Sequence, residues 1–312
     1  MKNLNIVITG SAGFIGSSIL SKLLTKKFKI TATDKKPIDF FKKWALHDVT
    51  HSAIKNCQLS YISGDIRDQD FCKSLFKDKN ILIHQAALIS VEESKRLPEL
   101  YYDVNVIGYK NLVDAALESG VKRIIYASSS AASDPNSSPY GKTKILNEEY
   151  SRKIALHNNE VMFTGLRYYN VVGKNIHWVN NSQSVLAKWI KEAKNDATIT
   201  VYGGGGQIRD FFSIDDVVRA NILSFLRTDI NKNRILEVGS RTGLSINSLA
   251  EKFKFYFDKK YSSQKKISII KKTHNNTEAK YSVANRQDCK DFLGFQVSND
   301  LDKILSNLID SV

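Results

Sequence analysis

Cysteine is scarce in this sequence, with three among 312 residues: Cys57, Cys72 and Cys289. No two stand close together, so the chain offers neither a disulfide framework nor a cysteine metal cage, and a reducing compartment is expected. Long apolar runs are missing too, and with them any candidate membrane span. Residues 1 to 20 show no basic leader followed by an unbroken apolar stretch, because glycines interrupt it, so the cytoplasm is the expected location. No internal repeat recurs. The glycine run Gly203 to Gly206 lacks the Lys-Ser/Thr ending of a P-loop and is expected to be loop geometry, not an ATP cradle.

What is present describes an ordinary folded protein. Hydrophobic residues make up 42% and charged residues 25% of a length that suits one large nucleotide-binding domain with a second part built onto it. The formal charge of +14 is high. Nucleic acid, an acidic membrane surface or a phosphorylated substrate would each answer to it, and net charge does not choose among them. Much of the excess lies in lysines at 252, 254, 259, 260, 265, 266, 271 and 272. They follow no recognition-helix pattern and no RNA-binding motif, which predicts a solvated face, no nucleic-acid partner and no membrane insertion.

The chain is organised around residues 4 to 16. Alternating Leu4, Ile6 and Ile8 predict a buried strand that empties into Gly10, Gly13 and Gly16. Gly10 permits a tight turn, Gly13 lets backbone approach a pyrophosphate, and Gly16 lets the next helix pack closely on the sheet with its free N–H groups toward the phosphates. A second strand, Lys29 to Thr33, ends at Asp34, where an acid accepts hydrogen bonds from ribose hydroxyls and repels a 2′-phosphate. Lys35 and Lys36 pull the other way. The expected cofactor is NAD. The expected fold class is α/β, a Rossmann-type parallel sheet with helices on both faces and a smaller C-terminal α/β substrate-binding domain. Residues 1–168, with return segments near 208–240, are assigned to the first domain and 169–312 mainly to the second.

Residues 37 to 58 are poorly periodic and predict only a connection with a short strand or turn. Strands are expected at 59–62, 81–84, 123–127, 161–166 and 234–238, and helices near 100–119, 145–156, 184–195, 215–226, 246–257 and 299–309. Beyond strand ends stand Asp65 and the backbone of Ile66, placed to contact adenine, with Asp68 as a helix cap. Ala86 and Ala87 leave room where backbone passes the cofactor, and Asn105 stands in the first part of the helix that ends at Gly120. Ser128, Ser129 and Ser130 crowd the end of another strand. Tyr140 and Lys144, four apart, share one helix face. A phenol titrates near ~10, but an adjacent ammonium favours the phenolate and makes it a base for a hydroxyl proton. Ser130 is placed to hold the same substrate oxygen. The competing account is a tyrosine packed on the sheet with a surface lysine one turn later.

Taken together, Thr9-Gly-Ser-Ala-Gly-Phe-Ile-Gly16, Gly64-Asp-Ile-Arg67, His84-Gln-Ala-Ala87, Tyr140-Gly-Lys-Thr-Lys144, Arg167-Tyr-Tyr-Asn170, Arg209-Asp-Phe211 and Leu293-Gly-Phe295 resemble the extended short-chain dehydrogenase/reductases. In particular the chain resembles nucleotide-sugar 4-epimerases of the UDP-glucose/UDP-N-acetylglucosamine type, over almost its whole length. The resemblance implies Gly10, Gly13, Phe14, Ile15 and Gly16 as the pyrophosphate loop, Asp34 as the ribose acid, Asp65 and Ile66 at adenine, and Ala86, Ala87 and Asn105 along the cofactor wall. It implies Tyr140 as acid/base, Lys144 as its partner and a ribose contact, Ser130 as the hydroxyl that orders the sugar, and Tyr169 beside the nicotinamide. Asn170, Ser184, Val185, Tyr202 and Arg209 match the region that receives uridine diphosphate. The implied reaction is NAD-dependent inversion of a UDP-hexose at C4 through a transient 4-keto sugar, without a metal, in a homodimer.

The chain departs from the pattern in places. Val-Tyr-Gly is absent after Ser130, and the segment to Tyr140 is short. Asn275 falls where an arginine commonly clamps the second phosphate, leaving Arg209, a nearby lysine or His274. Ser282 falls at a position that is small in relatives admitting N-acetyl groups, which favours UDP-N-acetylglucosamine and UDP-N-acetylgalactosamine. No Asp or Glu adjoins Ser130, which argues against dehydration. The alternatives are a nucleotide-sugar 4-ketoreductase or synthase and a noncatalytic NAD-binding or nucleic-acid-binding protein.

Overall fold

A computed structural model describes residues 4–26, 28–46, 58–134, 138–174, 176, 184–227, 233–261, 266–273 and 279–312. Two compact units result, Met1–Arg167 with Val218–Leu236, and Tyr168–Val217 with Glu237–Val312.

In the first unit the strands β1 (Asn5–Thr9), β2 (Lys29–Asp34), β3 (Gln58–Ser63), β4 (Ile81–His84), β5 (Arg123–Ser129) and β6 (Met162–Tyr168) are joined by β10 (Arg234–Val238). Their order is β10-β6-β5-β4-β1-β2-β3. The pairs from β3 through β5 are parallel, with Thr9 level with both Thr33 and His84. Strand order reverses between β1 and β4, the switch point at whose carboxyl ends such sheets bind ligands. This is the Rossmann-type α/β sheet, with helices on both faces. β1 and β4 carry Ile6, Val7, Ile8, Ile81, Leu82 and Ile83, all but excluded from solvent, as strands buried on both faces require.

The helices of this unit are α1 (Phe14–Leu24), α2 (Ile38–Ala45), α3 (Gln69–Ser74), α4 (Val91–Arg96), α5 (Pro98–Tyr102), α6 (Gly108–Glu118) and α7 (Pro139–His157). The segment expected to be an irregular connection thus holds a helix, α2. Only Phe41 of its described side chains is fully buried, stacked on Tyr61 with centroids 4.0 Å apart, while Ile38 is exposed. One inward residue is too little to write a period. Asp68 caps α3, accepting from the amides of Asp70 and Phe71. The helix expected near 100–119 is interrupted by a single π turn, Asp103–Ile107, between α5 and α6. Cys72 and Cys289 are buried, which pushes each thiol up to about 12; Cys57 lies outside the described residues. No helix among the described residues is long and apolar enough to cross a membrane.

The second unit contains β7 (Asn170–Val172), α8 (Val185–Asp196), β8 (Thr198–Tyr202), β9 (Ile208–Ser213), β11 (Gly243–Ser245), α10 (Ile246–Lys260), β12 (Ser268–Lys272), β13 (Tyr281–Ser282), α11 (Asp288–Leu293) and α12 (Leu301–Asp310). The helix α9 (Ile214–Leu226) begins here and ends in the first unit. There Arg123 Nη1 donates to the carbonyls of Phe225 and Arg227, and Gln85 Nε2 donates to Asn221 Oδ1 at 3.1 Å. The return segment is therefore Val218–Leu236, narrower than 208–240, because β9 is claimed by β7, β11 and β13. Several late lysines have structural partners. Lys252 pairs with Asp302 at 2.7 Å and Lys254 with Asp258 at 2.6 Å, while Lys260 donates to the carbonyls of Ile309 and Asp310 at the end of α12. A cation there satisfies carbonyls that the helix leaves open.

Candidate active site

The turn after β1 can be built only from glycine at two points. Gly10 has φ +68°, and a Cβ on it would stand 2.6 Å from the Ala86 amide nitrogen; a Cβ on Gly16 would stand 2.1 Å from the Gly10 carbonyl oxygen. The backbone is packed against itself there, and α1 opens at Phe14 with Gly13 before it and no side chain capping its end. Amides of Phe14, Ile15 and Gly16 are the ones such an end offers to a phosphate. Asp34 stands at the lip of the turn. Its Oδ2 accepts from the Ala12 N–H at 3.1 Å and its Oδ1 from the Lys36 N–H at 3.2 Å, so the carboxylate is fixed before any ribose arrives. One residue earlier, the buried Thr33 Oγ1 has no hydrogen-bond partner among the described residues. A glycine cradle, an uncapped helix end and a pre-set acid fit an adenine dinucleotide.

Asp65 is forked by Arg67, with Nη2 to Oδ2 at 2.7 Å, and that hydrogen bond holds its carboxyl below the usual range. Ile66 is buried over Gly108, where a Cβ would meet its Cγ1 at 2.6 Å, and its carbonyl accepts from Asn111 Nδ2 at 3.3 Å. Ala86 and Ala87 follow β4 half-buried, with the Ala86 N–H toward Thr9 Oγ1 at 3.4 Å. Asn105 lies in the π turn, 1% exposed. Its Oδ1 accepts from the Leu88 N–H at 2.8 Å, and its Nδ2 donates to the Leu88 carbonyl at 2.9 Å and to Thr143 Oγ1 at 3.1 Å. The side chain therefore ties the exit of β4 to α7, one residue from Lys144.

Helix α7 starts well before the expected Ile145. Ser138 caps it through the Gly141 N–H at 3.2 Å, and Pro139 occupies its first turn. Its buried face carries Tyr140, Thr143, Lys144, Asn147, Glu148 and Ser151. Tyr140 and Lys144 thus share the inward face, the opposite of a surface lysine. Lys144 Nζ donates to the Ala127 carbonyl at 2.9 Å and stands 5.9 Å from the Tyr140 ring centroid. Burial pulls the Lys144 ammonium down to about 8, with Glu148 opposing the shift. Burial raises the Tyr140 phenol, with the nearby Ser129 hydroxyl working against that rise. His84 does not compete as a cation, since burial and then the Lys144 charge lower it to about 3, and its Nδ1 lies 2.8 Å from Thr9 Oγ1.

Ser129 ends β5 and accepts from the Ala131 N–H at 3.2 Å, and Ser130 opens the following 3-10 turn, Ser130–Ser133. Sequence reasoning misses Glu148, whose i+4 spacing from Lys144 is the available signal.

In the second unit strand pairing gathers three of the expected substrate residues. β7 and β13 both pair with β9, so Asn170 lies level with Phe211 and Ser282 level with Arg209. Asn170 Nδ2 donates to the Asp210 carbonyl at 3.3 Å. The buried Asp210 carboxylate accepts from the amides of Ser240, Arg241 and Ala284 at 2.9, 2.9 and 3.2 Å, which fixes the strand at the residue after Arg209. Tyr169 donates its N–H to the Val238 carbonyl at 3.3 Å. Ser184 precedes α8, Val185 is its first residue, and Tyr202 ends β8 with its side chain exposed. Pairing with β9 does not include these last three. Asn275 and His274 lie outside the described residues.

Comparison with known proteins agrees with this geometry. The pattern of the NAD dependent epimerase/dehydratase family matches residues 6–239. A Methanocaldococcus jannaschii protein carrying a provisional UDP-glucose 4-epimerase name is 31% identical over 262 residues, 78% of this chain and 79% of its own. The solved UDP-N-acetylglucosamine 4-epimerase of Methanobrevibacter ruminantium, in complex with UDP-N-acetylmuramic acid, is 26% identical with a TM-score of 0.83, covering 100% of this chain and 98% of that one. The UDP-glucose 4-epimerase of Thermotoga maritima with UDP-glucose shares the fold at a TM-score of 0.83 and 24% identity, covering 99% and 98%. With its glycine cradle, its pre-set ribose acid and a buried tyrosine and lysine on one helix face, the chain belongs to the NAD-dependent epimerase/dehydratase family.

Proposed function

We propose that this protein inverts C4 of UDP-linked hexoses, with preference for UDP-N-acetylglucosamine and UDP-N-acetylgalactosamine. The observation that carries the reading is the buried Tyr140–Lys144 pair on one face of α7, with no carboxylate among residues 128–132. NAD held by the glycine turn and Asp34 supplies a reversible acceptor for the C4 hydrogen and its electron pair. Tyr140 takes the proton of the sugar 4-hydroxyl onto its Oη and returns it after the flattened 4-keto sugar has presented its other face. Lys144 steadies the phenolate, and Ser130 is assigned to orient the sugar. The serine run itself brings no Asp or Glu, and Glu148 is engaged by Ser128 and Arg167, so no further acid or base is offered for expelling water. To Asn170, Ser184, Val185, Tyr202 and Arg209 the proposal assigns the uridine diphosphate, with Tyr169 at the nicotinamide.

Support for the acetamido preference comes from Ser282, a small side chain level with Arg209 in parallel register. Ser282→Tyr is expected to raise KM for UDP-N-acetylglucosamine at least about 10-fold, the scale of a pocket contact turned into a clash, while UDP-glucose is affected little. NMR of purified protein with a panel of UDP-sugars and no added NAD tests the whole reading. Interconversion of the C4 epimers is expected. Net consumption of NADH or NADPH with a 4-keto sugar would replace the epimerase by a ketoreductase. A second copy of the chain, docked through α6 and α7, is supported by Leu146 and Leu156, which stand exposed on α7; sedimentation at twice the chain mass is the expected result. Buried, unpaired Cys72 and Cys289 accord with a cytoplasmic location.

A further inference from the structure

Resting on the roles proposed for Tyr140 and the serines, we infer that Glu148 and Arg167 form a positioning clamp that grips both ends of the segment carrying Ser129 and Ser130. Ser128, just before that segment, donates from Oγ to Glu148 Oε1 at 2.6 Å. Arg167 forks the same carboxylate, Nε to Oε1 at 2.8 Å and Nη2 to Oε2 at 2.6 Å, and its Nη1 donates to Ser133 Oγ at 3.2 Å, just after the segment. Four elements meet in this chain of bonds: β5, the 3-10 turn, α7 and β6. The Glu148 side chain is 4% exposed and that of Arg167 19%.

Such a pair costs desolvation and stabilises little on balance, so its worth lies elsewhere, in fixing geometry. A guanidinium offers donors in one rigid plane, which lets a single side chain hold a carboxylate and a hydroxyl at set angles. Glu148 stands one turn beyond Lys144 and two beyond Tyr140 on the buried face of α7. The clamp therefore references the serine segment to the helix that carries the base. If the segment drifts, Ser130 loses its aim at the sugar oxygen, and a catalytic group displaced by about 1 Å can cost 10²-fold in rate. Glu148 and Arg167 touch no reacting atom; they act through Ser128 and Ser133.

Ser133→Ala and Arg167→Lys in the full-length holoprotein test it. Ser133 is exposed, so its alanine variant removes one bond without threatening the fold. Amide hydrogen exchange read by mass spectrometry is expected to speed up about 10-fold over residues 129–134 in both variants while α1 is unchanged, the worth of one hydrogen bond. In parallel kcat is expected to fall about 10-fold with KM within twofold and bound NAD undiminished, and Ser133→Thr, which keeps the hydroxyl, restores both readouts. Unchanged exchange in both variants overturns the clamp. Faster exchange with unchanged kcat overturns its positioning role. If the parent protein itself converts no UDP-sugar, the function proposal fails, and the exchange measurement still decides the clamp.

Discussion

Tyr140→Phe is expected to lower turnover by about 10²–10⁴-fold, the range lost when a positioned general base is removed, while NAD stays bound. Phenylalanine keeps the ring, which is 8% exposed and meets Tyr101 edge-on with centroids 6.5 Å apart, so packing around α7 survives. Only the phenolic oxygen goes. Lys144 keeps its bond to the Ala127 carbonyl, so the ammonium stays where it is. The checks are steady-state rates with the UDP-sugar panel and mass spectrometry of cofactor released on denaturation. A variant that turns over at near the parent rate removes Tyr140 from the role of base. One that has also lost NAD shows instead that the substitution disturbed the cofactor site.

The second large effect is expected from Gly16→Ala. A methyl there would stand 2.1 Å from the Gly10 oxygen and 2.8 Å from the Gly10 carbonyl carbon, both main-chain atoms that no rotamer change can clear. Helix α1 would have to lift from the sheet, carrying its phosphate-facing amides with it. The expected outcome is protein purified without NAD and a thermal midpoint lowered by several degrees, as overpacking against a fixed neighbour costs about 1–3 kcal/mol or more. Gly13→Ala is the matched control, because its methyl would meet only the Gly10 oxygen, at 3.2 Å. That variant is expected to melt close to the parent and to bind NAD more weakly. Equal melting of the two variants would show that Gly16 is not the tight point of the turn.

Much of this site is legible in the order of amino acids alone, because the glycine turn is written in residue types that only backbone crowding requires. The strand ends carrying Asp34 and Asp65 are legible for a related reason: apolar alternation marks where a buried strand stops. Where the buried face is polar, that signal fails. Helix α7 buries Thr143, Lys144, Asn147, Glu148 and Ser151, so its inward stripe shows no apolar period; periodicity puts its start at Ile145 instead of Pro139 and passes over Glu148. Charge pattern assigns the lysines of α10 to solvent, yet Lys254 holds Asp258 one turn on, and Lys252 and Lys260 hold Asp302 and the last carbonyls of α12; counting charges does not see these last pairings, about fifty residues away.

The widened helical turn at Asp103–Ile107 makes that stretch sensitive to length in a way ordinary helix interiors are not. Removing one residue from it would return the backbone to regular winding and rotate the upstream residues by about 100° relative to the downstream ones. Tyr101 and Tyr109, fully enclosed on either side of the turn, could not both keep their places. Point changes at Asp103 or Val104 should be absorbed. A single-codon deletion should not, and relatives that share this arrangement are expected to conserve the spacing here more strictly than the letters.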